Sequence, residues 1–548
     1  MFWPPTKIHR CERQKRPAIC VFLACVLLVP AVLAQRSTTQ TNTALQQATQ
    51  LLQNGKLSEA ETLLQTHLAT APRDIKARVL LGVVFDQQNR MNEAESVYRG
   101  ILRIDPGEVS ALANLGVLLV HAGRQDEALK VFERVLVLEP RQAQASFNLA
   151  ALYSARNEKQ KALHLLEGLS GITTQNRVPK TADPELLFVL TKAYAAAAQP
   201  RDAVRIAEIL EIQKPDDNRF LFNLGLILAE AGEYQKAASL FEKVNERVPG
   251  KFEVLYNLGV AYYNLNQLDK SRTLLQAALN LNPNTAEVFY RLGLIALARN
   301  ENENAVGLWL KAIELNPNFH EANFLIAEEL FKRQAYVGAQ PFYEKAALGQ
   351  PENLLYQIRL VVTYIRLQQY DKARAVLGVQ GKKYADNLNL TYLNGFLARA
   401  EGNYDDAITA FDKVLKMSPN NADALSNLGF LLSERGQFEN AEIFLRRAIK
   451  QDAKIFTAHY ELGRLLLREK RLDEAVIMLE RGAGLNKQDP GVRYQLFIAY
   501  SRLKQKDKAD ANFAEFKRLE KSQGGTGAAA SLGDKKDEIP VSVGQIKP

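Results

Sequence analysis

Cysteine is scarce in this 548-residue chain: there are three, Cys11, Cys20 and Cys25, all close to the N-terminus. Beyond them the chain has no disulfide, no thiolate metal site and no cysteine nucleophile, so packing alone must hold it together. Histidine is nearly as rare. Beyond the first 34 residues, His67, His121, His164, His320 and His459 are scattered without ligand spacing, which leaves no metal site legible. A surplus of one charge is also missing. The net charge is +9, but residues 1–34 hold five of the basic residues and one acid, so 65 basic face 60 acidic residues over the rest. So dilute an excess argues against nucleic acid, which calls for basic clusters. The motifs of phosphate and zinc chemistry fail too. Gly55-Lys56-Leu57-Ser58 lacks the earlier glycine of a phosphate loop, and His320-Glu321 lacks a second histidine. No cofactor, metal or catalytic activity is expected.

What is present begins with an export signal. Basic residues Lys7 to Arg16 precede the uncharged run Ile19–Val29, then Pro30 and Ala31-Val32-Leu33-Ala34. Val32 and Ala34 suit cleavage before Gln35. The run is short for a membrane span, which needs about 20 apolar residues. Extended from Pro17 to Ala34 it comes close, so an uncleaved anchor stays open. Lipidation at Cys25 is a third reading, weakened by Phe22 and by its place in mid-run. The expectation is an extracytoplasmic protein, periplasmic or secreted, touching membrane only through this segment.

The rest repeats. A 34-residue frame starts at 41, 75, 109 and 143, resumes at 184 after seven inserted residues, and runs unbroken through 218, 252, 286, 320, 354, 388, 422, 456 and 490. Position eight is glycine in eight of the fourteen units, position twenty is alanine in thirteen, and a proline closes nine. Each unit reads as two helices: Leu221, Leu224, Ile227 and Leu228 recur at helical steps, with Gly232 at a turn. Glycine inside a helix costs about 1 kcal/mol relative to alanine, so a repeated one needs a packing reason. The expected reason is a close approach of position eight to position twenty. Proline marks the boundary between hairpins.

These residues resemble the tetratricopeptide repeats. Asn223-Leu224-Gly225 followed by Ala237, Phe241 and Pro249 matches the family pattern, as do Asn257-Leu258-Gly259, Ala278 and Pro283. The resemblance covers 41 to about 520 and implies an all-α, right-handed superhelical solenoid of about fourteen hairpins, identified as an exported bacterial multi-repeat member. The expected organisation is signal segment 1–34, polar linker 35–40, repeats over 41–167, a protruding inserted loop at 168–183, repeats over 184–521 with a charged cap helix from Lys504, and a disordered tail over 522–548. Two places are candidate hinges: that insertion, and the unit from 354, where Val361 replaces glycine and Gly378 to Lys383 replaces the terminal proline.

The resemblance also implies that first helices line a concave groove with positions 2, 5, 6, 9, 12 and 13. Asparagine holds position six at Asn114, Asn148, Asn223, Asn257 and Asn427. Rings hold position five in nine units, six of them consecutive from Phe147 to Phe324. An amide carries both donor and acceptor, so such a row suits the backbone of an extended peptide, with rings beside it adding apolar contact. The groove residues read from this pattern are Asn114, Asn148, Phe222, Asn223, Tyr256, Asn257, Tyr290, Arg291, Phe324 and Asn427, centred between Phe188 and Phe324. The bland alternative is that asparagine bonds only to nearby backbone and the rings only pack. The clamp for a C-terminal carboxylate is unsupported, its Lys–Asn pair being missing. The expected function is a scaffold that binds a protein or peptide. A component of a periplasmic assembly for polysaccharide export or outer-membrane biogenesis, and a glycan-binding protein, are the alternatives.

Overall fold

The computed structural model describes residues 39–173, 175–181 and 183–522, and there the chain is a series of 28 helices with no strand. The signal segment and the C-terminal tail lie outside the described residues. Thirteen of the fourteen first helices begin at the first residue of the 34-residue frame, as at Ile75, Val109, Asn218 and Pro490; the opening one begins at Thr39 instead. Local chemistry explains the regularity. Asp74, Asp217, Asn353, Asn387, Asn421 and Asp489 each accept a hydrogen bond from the backbone N–H three residues on, satisfying a donor that the helix start leaves free. Each hairpin then turns at its fifteenth residue in the left-handed region, from Gly55 (φ 71°) through Asn89 (φ 61°) to Ala198 (φ 57°) and Lys504 (φ 58°). Helix α28, Lys506–Ser522, therefore starts two residues after Lys504.

The helices divide into two compact units, 39–283 and 284–522, of seven hairpins each. In the first, one buried cluster runs from Ala48 to Tyr262. In the second, two clusters span Ala327–Leu431 and Leu425–Ala509. Stacking neighbour on neighbour is how single hairpins, too small for a core of their own, bury an apolar face.

Three expectations change. First, the space left by the position-eight glycine is filled from position twenty-four. A Cβ at Gly82 would lie 2.5 Å from the Tyr98 ring, at Gly116 2.6 Å from Phe132, at Gly225 2.6 Å from Phe241 and at Gly293 2.3 Å from the Trp309 indole nitrogen. Position twenty is fully buried against the same backbone, as where Ser271 Oγ donates to the Gly259 carbonyl at 2.7 Å. Its small side chain thus lets the helices approach while position twenty-four occupies the gap. Second, the insertion does not protrude. Helix α8, Lys159–Ser170, takes its first residues, and Gly171 caps the helix at φ 75°. Beyond it Ile172 is buried, and Arg177 bridges Glu167 and Asp202 at 2.8 and 2.9 Å. Third, the unit from 354 is not broken: Leu354–Arg366 and Tyr370–Lys383 are continuous helices, and Val361 is fully buried.

Candidate partner-binding face

In five hairpins the first helix is tied to the second helix of the preceding hairpin by the same contact. The tyrosine at position eleven donates to the glutamate at position twenty-five of the preceding hairpin: Tyr153 to Glu133 at 2.7 Å, Tyr364 to Glu344 at 2.9 Å, and likewise Tyr262 to Glu242 and Tyr500 to Glu480. Tyr194 reaches Glu167 at 2.8 Å in the same way although seven residues are inserted between them. Burial, then the carboxylate, pushes the Tyr153, Tyr262 and Tyr500 hydroxyls up to about 12. These ties hold five first helices against the second helix of the hairpin before. The sequence reading missed them because tyrosine and glutamate are individually unremarkable and lie 20 residues apart.

Four of the five asparagines share one geometry. The amide nitrogens of Asn114, Asn148, Asn257 and Asn427 donate to the carbonyls four residues earlier, of Ser110, Gln144, Glu253 and Asp423, at 2.8–2.9 Å. Asn223 is exposed, Asn114 and Asn148 are half-buried, and Asn257 and Asn427 are buried. Asn427 is used further by the preceding hairpin. It donates to the Tyr392 hydroxyl at 3.1 Å and accepts from Arg399. Asn257 differs: its side-chain oxygen and the neighbouring Tyr256 hydroxyl are buried and find no hydrogen-bond partner among the described residues.

The rings mostly pack. Phe222 lies 5.4 Å from Phe241 in its own hairpin, and Tyr256 stacks on Phe252 at 5.9 Å. Phe324 stacks on Tyr356 of the next hairpin at 4.4 Å, and Tyr290 meets Phe319 at 4.8 Å. Phe222 and Phe324 keep partial exposure; Tyr290 and Arg291 are buried, the guanidinium over the Tyr290 ring at 5.7 Å. The site residues read from the sequence thus fall into two groups, those still open at the surface (Asn114, Asn148, Phe222, Asn223, Phe324) and those enclosed by the fold (Tyr256, Asn257, Tyr290, Arg291, Asn427). Asn114, Asn148, Phe222, Asn223, Tyr256 and Asn257 belong to the first compact unit; Tyr290, Arg291, Phe324 and Asn427 belong to the second.

Stacked helical hairpins that bury their apolar faces against one another make a scaffold of repeat type. Family comparison agrees. Tetratricopeptide repeat profiles match residues 45–109, 110–170 and 189–252, residues 228–293 and 398–462, and residues 456–489. Together these cover more than half of the sequence, and the chain belongs to the tetratricopeptide repeat family. No curated protein matches it. Among solved structures it is similar to yeast Tom70, with 18% identity over 82% of this chain and 99% of that one and a TM-score of 0.33. It is also similar to a chain of the Cut9–Hcn1 hetero-tetramer of the APC/C, with 13% identity over 84% and 96% and a TM-score of 0.35. A chain of the Naa15/Naa10 complex bound to HypK-THB gives 14% over 87% and 100%, with a TM-score of 0.32. At these scores the likenesses add nothing to the family match.

Among the described residues no three His, Cys, Asp or Glu side chains gather as a metal site. No described helix is long and apolar enough to cross a membrane. The protein is a scaffold for protein–protein interaction.

Proposed function

We propose that this scaffold works outside the cytoplasm, and that it captures an extended segment of a protein partner along the first helices of the hairpins from 109 to 252. The observation that carries the reading is the shared amide geometry. The bond to the carbonyl four residues back pins Asn114 and Asn148, in adjacent hairpins, and Asn257 in one orientation, so these amides present their oxygens as fixed acceptors, with Val189 interrupting the row in the hairpin from 184. A pre-oriented polar row costs little entropy to engage, and a peptide backbone offers a matching alternation of N–H and C=O. Asn223 and Phe222 stand in the same row with exposed or partly exposed side chains.

A photo-crosslinking residue at Asn148 or Asn223, compared with one at Glu246 on an exposed second-helix site, tests the face. Partner adducts from Asn148 and Asn223 alone, lost when Asn114, Asn148 and Asn223 are otherwise changed to Ala, are the expected result. Adducts from Glu246 alone would sink the groove reading. Export has its own test. Amino-terminal sequencing of protein from the cell envelope should begin at Gln35, whereas an intact Met1 terminus would favour the anchor.

A further inference from the structure

One junction between hairpins departs from the repeat. Position seven of the first helix is leucine or isoleucine in twelve of the thirteen hairpins from 75 onward, and all twelve are buried. In the hairpin from 388 it is Asn394, which is exposed and makes no hydrogen bond among the described residues. The neighbouring position across the junction changes with it. At position twenty-eight Leu415 and Ile449 pack against the cluster that holds Leu428 and Leu462, whereas before Asn394 the same position is Gly381, with Gly378 three residues earlier. No other hairpin has glycine at twenty-five or twenty-eight. Both glycines lie inside helix α20, Tyr370–Lys383, and an added Cβ would meet nothing within 4 Å of either. Glycine weakens a helix relative to alanine, and here, unlike at position eight, no close contact inside the chain requires it.

Asn394, Gly378 and Gly381 line one open pocket of about 520 Å³, between α20, helix α21 (Leu388–Ala400) and helix α22 (Tyr404–Met417). Small-ligand sites commonly enclose about 300–1,000 Å³. Part of the lining is apolar, from Leu377 and Leu390, both buried, and from Ala410. Lys382 enters from α20 and Asp406 from α22; both are exposed, and neither forms an ion pair among the described residues. Lys413 is already engaged, donating to the Ala385 carbonyl at 2.9 Å. The pocket thus offers an aliphatic slot where the other hairpins place a leucine, an amide whose donor and acceptor are both free, and one unpaired charge of each sign.

We infer that this pocket is a small-molecule site for a short free peptide, of two or three residues, that carries an aliphatic side chain. The side chain takes the place of the missing leucine. The ligand's carboxylate pairs with Lys382, its ammonium with Asp406, and the Asn394 amide bonds to the peptide group between them. Without side chains at Gly378 and Gly381, the ligand backbone can lie close against α20. Free ends are what the charges select for, since a segment within a protein chain brings no terminal charge to Lys382 or Asp406. The site lies wholly in the second compact unit and shares no residue with the asparagine row.

The test is titration calorimetry of the full chain with Gly-Leu-Gly, with Gly-Ser-Gly, and with Gly-Leu-Gly acetylated at its N-terminus and amidated at its C-terminus. Gly-Leu-Gly should bind with a Kd of about 1 mM or below, and the other two about tenfold more weakly or worse. Asn394→Leu installs the residue that the other hairpins carry, so it should abolish binding without lowering the thermal midpoint. Lys382→Gln and Asp406→Asn, both surface changes, should each weaken binding about threefold or more with helical content unchanged. Asn114→Ala with Asn148→Ala and Asn223→Ala should leave it intact, which keeps this site separate from the groove reading. No binding of Gly-Leu-Gly at about 10 mM overturns the inference. Equal binding of the three peptides does so too, as does undiminished binding in Asn394→Leu or in the Lys382→Gln, Asp406→Asn pair.

Discussion

Gly293 and Gly307 lie in the same hairpin, both inside helices, and replacing each with alanine should change stability in opposite directions. Alanine removes the conformational freedom that glycine has in the unfolded chain, a gain of about 0.5–1 kcal/mol in an unhindered helix. Gly307 is exposed, and an added Cβ would find nothing within 4 Å. Gly307→Ala should therefore stabilise by nearly that amount. At Gly293 the Cβ would sit 2.3 Å from Trp309 Nε1 and 2.6 Å from Cδ1, where carbon contacts settle near 3.5–4.0 Å. The indole, fully buried, would have to move by more than 1 Å. That movement would disturb the Nε1 hydrogen bond to the Tyr290 carbonyl at 3.2 Å, worth about 1 kcal/mol. Overpacking of this kind costs about 1–3 kcal/mol, so Gly293→Ala should destabilise by about 2 kcal/mol net. The two variants should then differ by about 3 kcal/mol. Trp309 is one of two tryptophans, so a Trp3→Phe background makes its fluorescence a local probe, read during urea denaturation. In a Trp309→Ala background the clash is absent, and Gly293→Ala should turn neutral or favourable. If Gly293→Ala is as stable as Gly307→Ala with Trp309 present, the ring-on-glycine account of position eight is wrong.

Other outcomes follow from the same contacts. Ala198 holds φ 57° at a hairpin turn, where an L side chain costs about 1–2 kcal/mol; Ala198→Gly should raise thermal stability by about 1 kcal/mol, less the added freedom of the unfolded chain. Tyr262→Phe, leaving Glu242 without its donor, should cost about 1–2 kcal/mol in chemical denaturation, more than Tyr404→Phe, whose hydroxyl makes no hydrogen bond among the described residues. The hydroxyls of Tyr153, Tyr262 and Tyr500 are raised to about 12 in the folded chain, against about 10 unfolded. Their contribution is therefore fully present below pH 10 and lost as pH climbs through about 12, so denaturation midpoints should fall over that window and fall less in the triple Phe variant. Burial lifts Asp423 to about 6, with Asp452 adding repulsion. A carboxyl raised in the folded state favours folding in acid and opposes it at neutral pH, so Asp423→Asn should stabilise at pH 7 and lose that advantage below pH 4.

Much of this architecture could be read without coordinates because its causes are local. The start of a first helix depends on a capping Asp or Asn and on a proline two or three residues earlier; the turn depends on a residue that tolerates the left-handed region; amphipathic steps decide which residues go inside. All of these act within a few positions of the chain, so the frame beginning at 75, 109 or 218 coincides with helices that begin at Ile75, Val109 and Asn218. The asparagine row was visible for the same reason, being a repeat at constant spacing. Its enclosure at Asn257 and Asn427, against exposure at Asn223, was not visible, since burial depends on what the neighbouring hairpin places above it.

What the tertiary structure decided concerns pairs of helices. The partner of the position-eight glycine is Tyr98, Phe132, Phe241 or Trp309 at position twenty-four rather than the alanine at twenty, because the rotation of the second helix about its axis selects the side chain that points across. Arg177 turns the insertion into a strap on Glu167 and Asp202, a choice between loop conformations that composition alone leaves open. The tyrosine–glutamate ties arise only when one hairpin is laid against the next. Repetition in one dimension is written in the sequence; the side chains that meet between successive copies are set by how the copies rotate as they stack.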